Sequence, residues 1–185
     1  PEKGPHHAIA IAKATGIPLK MAGKIDPVDV EYFDQEIKHH IDGEFIQFLG
    51  EADHQMKNNL MGRAIATLFP ITWREPFGLV MIESMAAGTP AIAMNLGAVP
   101  EVIAHGISGL IVNNLEEYIV AIKHISAISR QETRAYVSQH FGVDRMVTDY
   151  EIVYRDLLTP KFSQIWTSSN LPKRTRDTDR LGVDG

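Results

Sequence analysis

Between Ala66 and Val112 the chain reads ATLFPITWREPFGLVMIESMAAGTPAIAMNLGAVPEVIAHGISGLIV. The run Ala66 to Pro70 has the length and apolar character of a buried strand, and Pro70 ends it. A polar loop carrying Trp73, Arg74 and Glu75 follows, and Leu79 to Ala87 then reads as a helix with apolar residues all round. Gly88-Thr89-Pro90 stops that helix, and Ala91 to Met94 is a second short strand. Strand, loop, helix and strand in this order form a parallel crossover, which commits the chain to a parallel α/β sheet.

The start of the helix carries the chemistry. The first N–H groups of a helix have no internal acceptor, and the helix dipole adds partial positive charge there. Gly78, lacking a Cβ, is expected to let a ligand approach the backbone closely. A helix N-terminus after a strand is a plausible phosphate cradle. Glu75 precedes this start and Glu83 lies about a turn inside the helix, and carboxylates suit sugar hydroxyls. Phosphate and hydroxyl partners side by side point to a nucleotide-sugar.

The string Glu75-Pro76-Phe77-Gly78-Leu79-Val80-Met81-Ile82-Glu83 resembles the paired-glutamate motif of the family 4 glycosyltransferases, which have the GT-B fold. The run Ser84 to Pro90, Gly97, Pro100-Glu101-Val102 and Gly106 to Gly109 are similar to the family in the same order. The resemblance covers roughly the first 160 residues. It implies that Glu75 contacts the hydroxyls of the donor sugar and Glu83 the ribose, and that Lys3 pairs with the donor diphosphate. Phe77, Gly78, Leu79 and Val80 would act through backbone N–H groups on phosphate and sugar. It further implies a retaining transfer from a UDP-, GDP- or ADP-type donor, with no metal and no cofactor. Asn95 to Glu101 is similar to the family's glycine loop, with Gly97 kept and Ala98 where a second glycine is common.

The remaining chain alternates in the same way. Helices are expected from Pro5 to Gly16, from Pro27 to His40 and over Asp53 to Arg63, with strands at Pro18 to Ala22 and Phe45 to Leu49. Beyond Gly109, Leu110 to Val112 reads as a strand, and Leu115 to Ser129 as one amphipathic helix. Gln131 to His140 and Val143 to Leu158 read as two more helices. The expected fold is a doubly wound parallel sheet, a Rossmann-like half of a GT-B fold. Ligands of such sheets sit beyond the carboxyl ends of the strands, here Gly23, Gly50, Pro70 and Asn95 to Gly97. Gly23, Gly50 and Gly97 are therefore candidate ligand-binding positions.

Charge and composition remove other classes. With 185 residues, 44% hydrophobic and 22% charged, the chain suits one soluble domain. A net charge of −5 argues against a general nucleic-acid binder. There is no cysteine, hence no disulfide framework and no thiolate metal site. None of the eight histidines makes a zinc-helix pair with a third ligand near it, so no metal site is expected. No apolar run approaches the ~20 residues of a membrane helix. The expected location is the cytoplasm, including the cytoplasmic face of a membrane. The methionines at 56, 61, 81, 85 and 94 are expected in the core.

The expected organisation is a nucleotide-sugar-binding domain over 1–160 and a polar, largely disordered tail over 161–185. By the resemblance, a first central strand and a whole N-terminal acceptor domain are missing, and a fragment of this kind would be inactive alone. The acceptor, donor base and sugar are left open. Two other readings fit the same cleft: a non-catalytic nucleotide-sugar module, and a GT-B-related nucleotide-sugar epimerase.

Overall fold

The computed structural model describes residues 1–158, so the expected tail at 161–185 lies outside the described residues. The chain divides into a compact unit, Pro1–Gly142, and a second that begins at Val143. In the first unit the order is α1 (Pro5–Thr15), β1 (Leu19–Met21), a stretch containing α2 (Val30–Tyr32), β2 (Ile46–Phe48), α3 (His54–Arg63) and β3 (Thr67–Phe69). Then come α4 (Leu79–Ala86), β4 (Ala91–Met94), α5 (Val99–Val102), β5 (Gly109–Val112), α6 (Leu115–His124) and α7 (Arg130–His140). The second unit opens with the amphipathic α8 (Val143–Leu158), along which Arg145 meets Asp149 and Arg155 meets Glu151, each one turn apart.

All strand pairings are parallel, as the crossover pattern requires, and Ala91 stands opposite both Thr67 and Gly109. They form two sheets, β1-β2 and β3-β4-β5, where one continuous sheet would join them. No pairing links the two sheets among the described residues. Helix α1 spans the joint between them. Ile9 is buried with Ile37 and Ile46 on the two-stranded sheet, and Ile11 with Ile92 and Val112 on the three-stranded one. Residues two apart on a helix point to nearly opposite sides, so one helix serves both cores.

Period-two alternation makes the three-stranded sheet doubly wound. Ala91 and Ala93 face Met81, Met85 and Val99, under α4, α5 and α7. Ile92 faces the other way, onto α1 and α6, with Tyr118 and Ile122. Burying a side chain such as Ile92 stabilises by about 1.5–3 kcal/mol. The Tyr118 hydroxyl has no solvent, and it donates to the Phe69 carbonyl at 2.8 Å.

Three local expectations change. The helix expected from Pro27 to His40 is broken: a 3-10 turn at Pro27–Asp29, α2, a π-helical turn at Phe33–Ile37 and a 3-10 turn at Lys38–His40. Ile37 is the one residue of that stretch that is fully buried, with Tyr32 and Phe33 partly buried beside the same core, so the anchored part is short and both ends, Pro27–Asp29 and Lys38–His40, lack a buried residue to hold a straight helix. The helix expected through Ser129 stops as α6 at His124, passing through a 3-10 turn to an extended Ile128. That extension frees Ser129 to cap α7, its hydroxyl accepting from the Glu132 N–H. Met56 is exposed on α3 rather than in the core, whereas Met61, Met81 and Met85 are buried.

Candidate functional site

The loop from Pro70 to Gly78 is held from three sides. From the N-terminal turn, the Glu2 carbonyl accepts from the Thr72 N–H at 2.9 Å. Gly4 is pressed against the end of β3 so closely that an added Cβ would collide with the Pro70 carbonyl. From the loop after β4, the Ala98 N–H donates to the Glu75 carbonyl at 2.9 Å, and a Cβ on Gly97 would collide with the Glu75 backbone. From below, Phe69 and Met81 close the space under Gly78.

This holding gives Glu75 a defined place. Its side chain is only 14% exposed, so it is not a freely solvated loop acid, and Lys3 Nζ lies 2.5 Å from its Oε2. The same ammonium sits 4.6 Å from the centre of the Trp73 ring. Residues 72 positions apart are therefore brought together by the close approach of two backbone segments.

Gly78 begins α4 with φ +76°, a left-handed conformation that suits glycine, and no side chain caps the helix there. The first N–H groups of α4 thus keep the outward, uncapped character that an anion site uses. The packing gives the glycine a second reason. A Cβ at Gly78 would meet Met81 Cε, 2.5 Å away, Phe69 at 3.3 Å and the Glu75 side chain at 3.5 Å. Gly97 is similar: its missing side chain makes room for Glu75. The side chains of Phe77, Leu79 and Val80 are exposed, so core packing does not account for them. Phe77 meets Phe141 edge-on at 6.4 Å.

Glu83, farther along α4, also has a lysine partner. Lys57 Nζ of α3 lies 2.5 Å from Glu83 Oε1, with the two side chains 31% and 36% exposed. The pair depends on how α3 is fixed to α4. Thr89 Oγ1 donates to the Met61 carbonyl at the end of α3, and accepts from Arg130, which also reaches the Gly62 and Ala64 carbonyls. Ser84 Oγ lies 2.7 Å from Thr67 Oγ1 and 2.9 Å from the Thr89 carbonyl, so one polar network spans α3, α4, β3 and the entry to β4. Sequence reasoning missed Lys57. A Lys placed one turn after the helix-capping Asp53 was the available signal, but only the packing of α3 on α4 gives it a partner.

The other candidates gather elsewhere. Gly23 and Gly50 meet at the carboxyl ends of β1 and β2, where the Gly23 N–H donates to the Gly50 carbonyl at 2.8 Å. Both have open space where a Cβ would stand. No hydrogen bond ties either of them to Lys3, Glu75 or Glu83 among the described residues. The structure therefore unites Lys3, Glu75, Gly97 and the start of α4 in one cluster, sets Glu83 with Lys57 along the same helix, and leaves Gly23 and Gly50 at the ends of the smaller sheet. No described helix is long and apolar enough to cross a membrane.

Known proteins share this fold. The chain is similar to AviGT4, a glycosyltransferase involved in avilamycin A biosynthesis, with a TM-score of 0.72 and 25% identity over 86% of this chain and 49% of that one. It is similar to Anabaena Alr3699/HepE in complex with UDP-glucose, with a TM-score of 0.67 and 25% identity over 85% of this chain and 45% of that one. In sequence it is 32% identical to N-acetyl-alpha-D-glucosaminyl L-malate synthase of Bacillus anthracis, over 61% of this chain and 31% of the relative. It is 37% identical to a glycogen synthase of Mycobacterium tuberculosis, over 59% and 27%. The chain thus spans about a third or less of these curated relatives. The sequence profile described as "Glycosyl transferases group 1" matches residues 1–140, which hold both lysine–glutamate pairs and the uncapped helix start between them, and the chain belongs to that family.

Proposed function

We propose that this chain is the donor-binding domain of a retaining, metal-independent family 4 glycosyltransferase that moves a sugar from a nucleotide diphosphate sugar to an acceptor. One observation carries the reading: two carboxylates, each held by its own lysine, flank the uncapped N-terminus of α4. Lys3 and the first N–H groups of α4 would bind the diphosphate. Charge that grows on the leaving diphosphate would be stabilised by this fixed ammonium and these dipoles, without a metal. Glu75 would accept from donor-sugar hydroxyls and Glu83 from the ribose, which orients the reacting carbon toward the acceptor. Gly23 and Gly50 would border the nucleotide.

The acceptor is contributed elsewhere in this reading, by an N-terminal acceptor domain, and the work is done in the cytoplasm or at the cytoplasmic face of a membrane. The isolated chain is expected to bind donor and to transfer nothing. Calorimetric titration with UDP-glucose and GDP-mannose tests the binding, with Glu83→Ala as the comparison. Saturable binding of one donor, weakened at least tenfold by Glu83→Ala, is the expected result, from loss of charge-assisted hydrogen bonds of about 1.5–3 kcal/mol. A Glu83→Ala chain that binds its donor as well as the parent overturns the assignment, and so does a folded chain that binds neither of these donors nor ADP-glucose, UDP, GDP or ADP.

A further inference from the structure

We propose that Trp73 is a positioning residue of the donor site: its indole face holds the Lys3 ammonium beside Glu75, in place to meet the donor diphosphate. The inference rests on the donor reading above and extends it to a residue outside the paired-glutamate motif.

Trp73 is 40% exposed, so burial in the core does not explain its place. Its ring has Lys3 Nζ 4.6 Å from its centre, and that same Nζ is 2.5 Å from Glu75 Oε2. The backbone builds this meeting. The Glu2 carbonyl accepts from the Thr72 N–H at 2.9 Å, so the next residue on each strand of chain, Lys3 and Trp73, comes face to face. The Glu75 N–H donates to the Trp73 carbonyl at 3.2 Å, a tight turn that brings carboxylate and indole to one ammonium. Gly4, pressed on Pro70, admits no slack between the segments.

An ammonium has three protons. Glu75 takes one, the indole face attracts the cation without consuming another, and two protons remain for phosphate oxygens. A long lysine side chain loses rotamer freedom when it binds an anion. Where it is already held at two points, less freedom is left to lose, and binding is tighter. A cation–π contact at an exposed site corresponds to a factor of about two to five.

The test uses the 185-residue chain with Trp166→Phe, which leaves Trp73 as the only indole of the two. UDP, GDP, ADP and the three matching nucleosides are titrated, followed by Trp73 emission and by calorimetry. For whichever nucleotide binds, the expected result is a change in Trp73 emission. Trp73→Leu should weaken that nucleotide about two- to five-fold and leave its nucleoside unaffected. Trp73→Phe should recover most of the loss, and Trp73→Leu should add nothing in a Lys3→Met background. Equal losses for nucleotide and nucleoside, no recovery with Phe, or losses that add to those of Lys3→Met overturn the proposal. Should Trp73→Leu fail to fold, Lys3→Met decides: an emission change that persists without the ammonium also overturns it. If the parent chain binds none of the three nucleotides, the donor reading falls, and this inference with it. If the parent binds and Trp73→Leu binds equally well, this inference alone falls.

Discussion

Gly97→Ala separates the architecture of the site from the ordinary demands of a turn. Gly97 has φ +56° and Gly106 has φ +83°, so alanine is strained at both, by roughly 1–2 kcal/mol each. The surroundings differ. At Gly106 nothing lies within 4 Å of an added Cβ, whereas at Gly97 the Cβ would collide with the Glu75 carbonyl and N–H and the Arg74 carbonyl carbon. The loop must back away, and the Ala98-to-Glu75 hydrogen bond of 2.9 Å is lost, about 1 kcal/mol more. Urea unfolding followed by far-UV circular dichroism should therefore give a loss of about 2–3 kcal/mol for Gly97→Ala and about 1–2 kcal/mol for Gly106→Ala. The second readout is specific to the site. Gly97→Ala shifts Glu75 away from Lys3 and should weaken nucleotide-sugar binding, while Gly106→Ala should bind as the parent does. Equal destabilisation by the two variants, with donor binding unchanged in both, would refute the argument that Gly97 serves Glu75.

Three other outcomes follow from the same contacts. Lys57→Met should weaken donor binding a few-fold while changing folding stability by less than about 1 kcal/mol, since both side chains of the pair are partly exposed. It should have no added effect on binding in a Glu83→Gln background; additive losses in a double-mutant cycle would show that the lysine does not act through Glu83. Tyr118→Phe leaves the Phe69 carbonyl without its hydroxyl donor in a fully buried place, and a loss of about 1–3 kcal/mol in urea unfolding is expected. Burial first, then the charges of His7 and the N-terminus, hold His6 below its ordinary 6.5, against an opposing pull from Glu36, with the Tyr32 hydroxyl 2.5 Å from its Nδ1. The fold prefers the neutral ring, so the unfolded chain binds the proton more readily; this contribution is complete above about pH 6.5 and is lost as pH falls from there toward the folded-state value. The thermal midpoint should drop across that window and drop less in His6→Gln; identical pH profiles would exclude His6 as the cause.

Strand and helix positions around the crossover were legible because each depends on neighbours in sequence. Pro70 and Gly88-Thr89-Pro90 end elements by their own backbone chemistry, and Ala91 to Met94 is the observed β4 residue for residue. The broken stretch from Pro27 to His40 was not legible, because a helical period in the sequence does not say how much of it finds a core. Only Ile37 is fully buried, with Tyr32 and Phe33 partly so. Gly78 was legible as a necessary glycine, but not the protein neighbours that also require it: the space its Cβ would take belongs to Met81, Phe69 and the Glu75 side chain, which arrive from a helix turn, a strand and a loop.

Alone, the sequence determined that this is a parallel α/β chain with a helix start flanked by Glu75 and Glu83, because hydrophobic period, turn residues and motif order are local properties. The tertiary structure decided which cation serves each carboxylate. Lys3 reaches Glu75 across 72 positions and Lys57 reaches Glu83 across 26. It decided too that α1 spans the joint between two sheets. Such partners are set by which faces bury against each other, and that is a property of the packed core rather than of any stretch of chain.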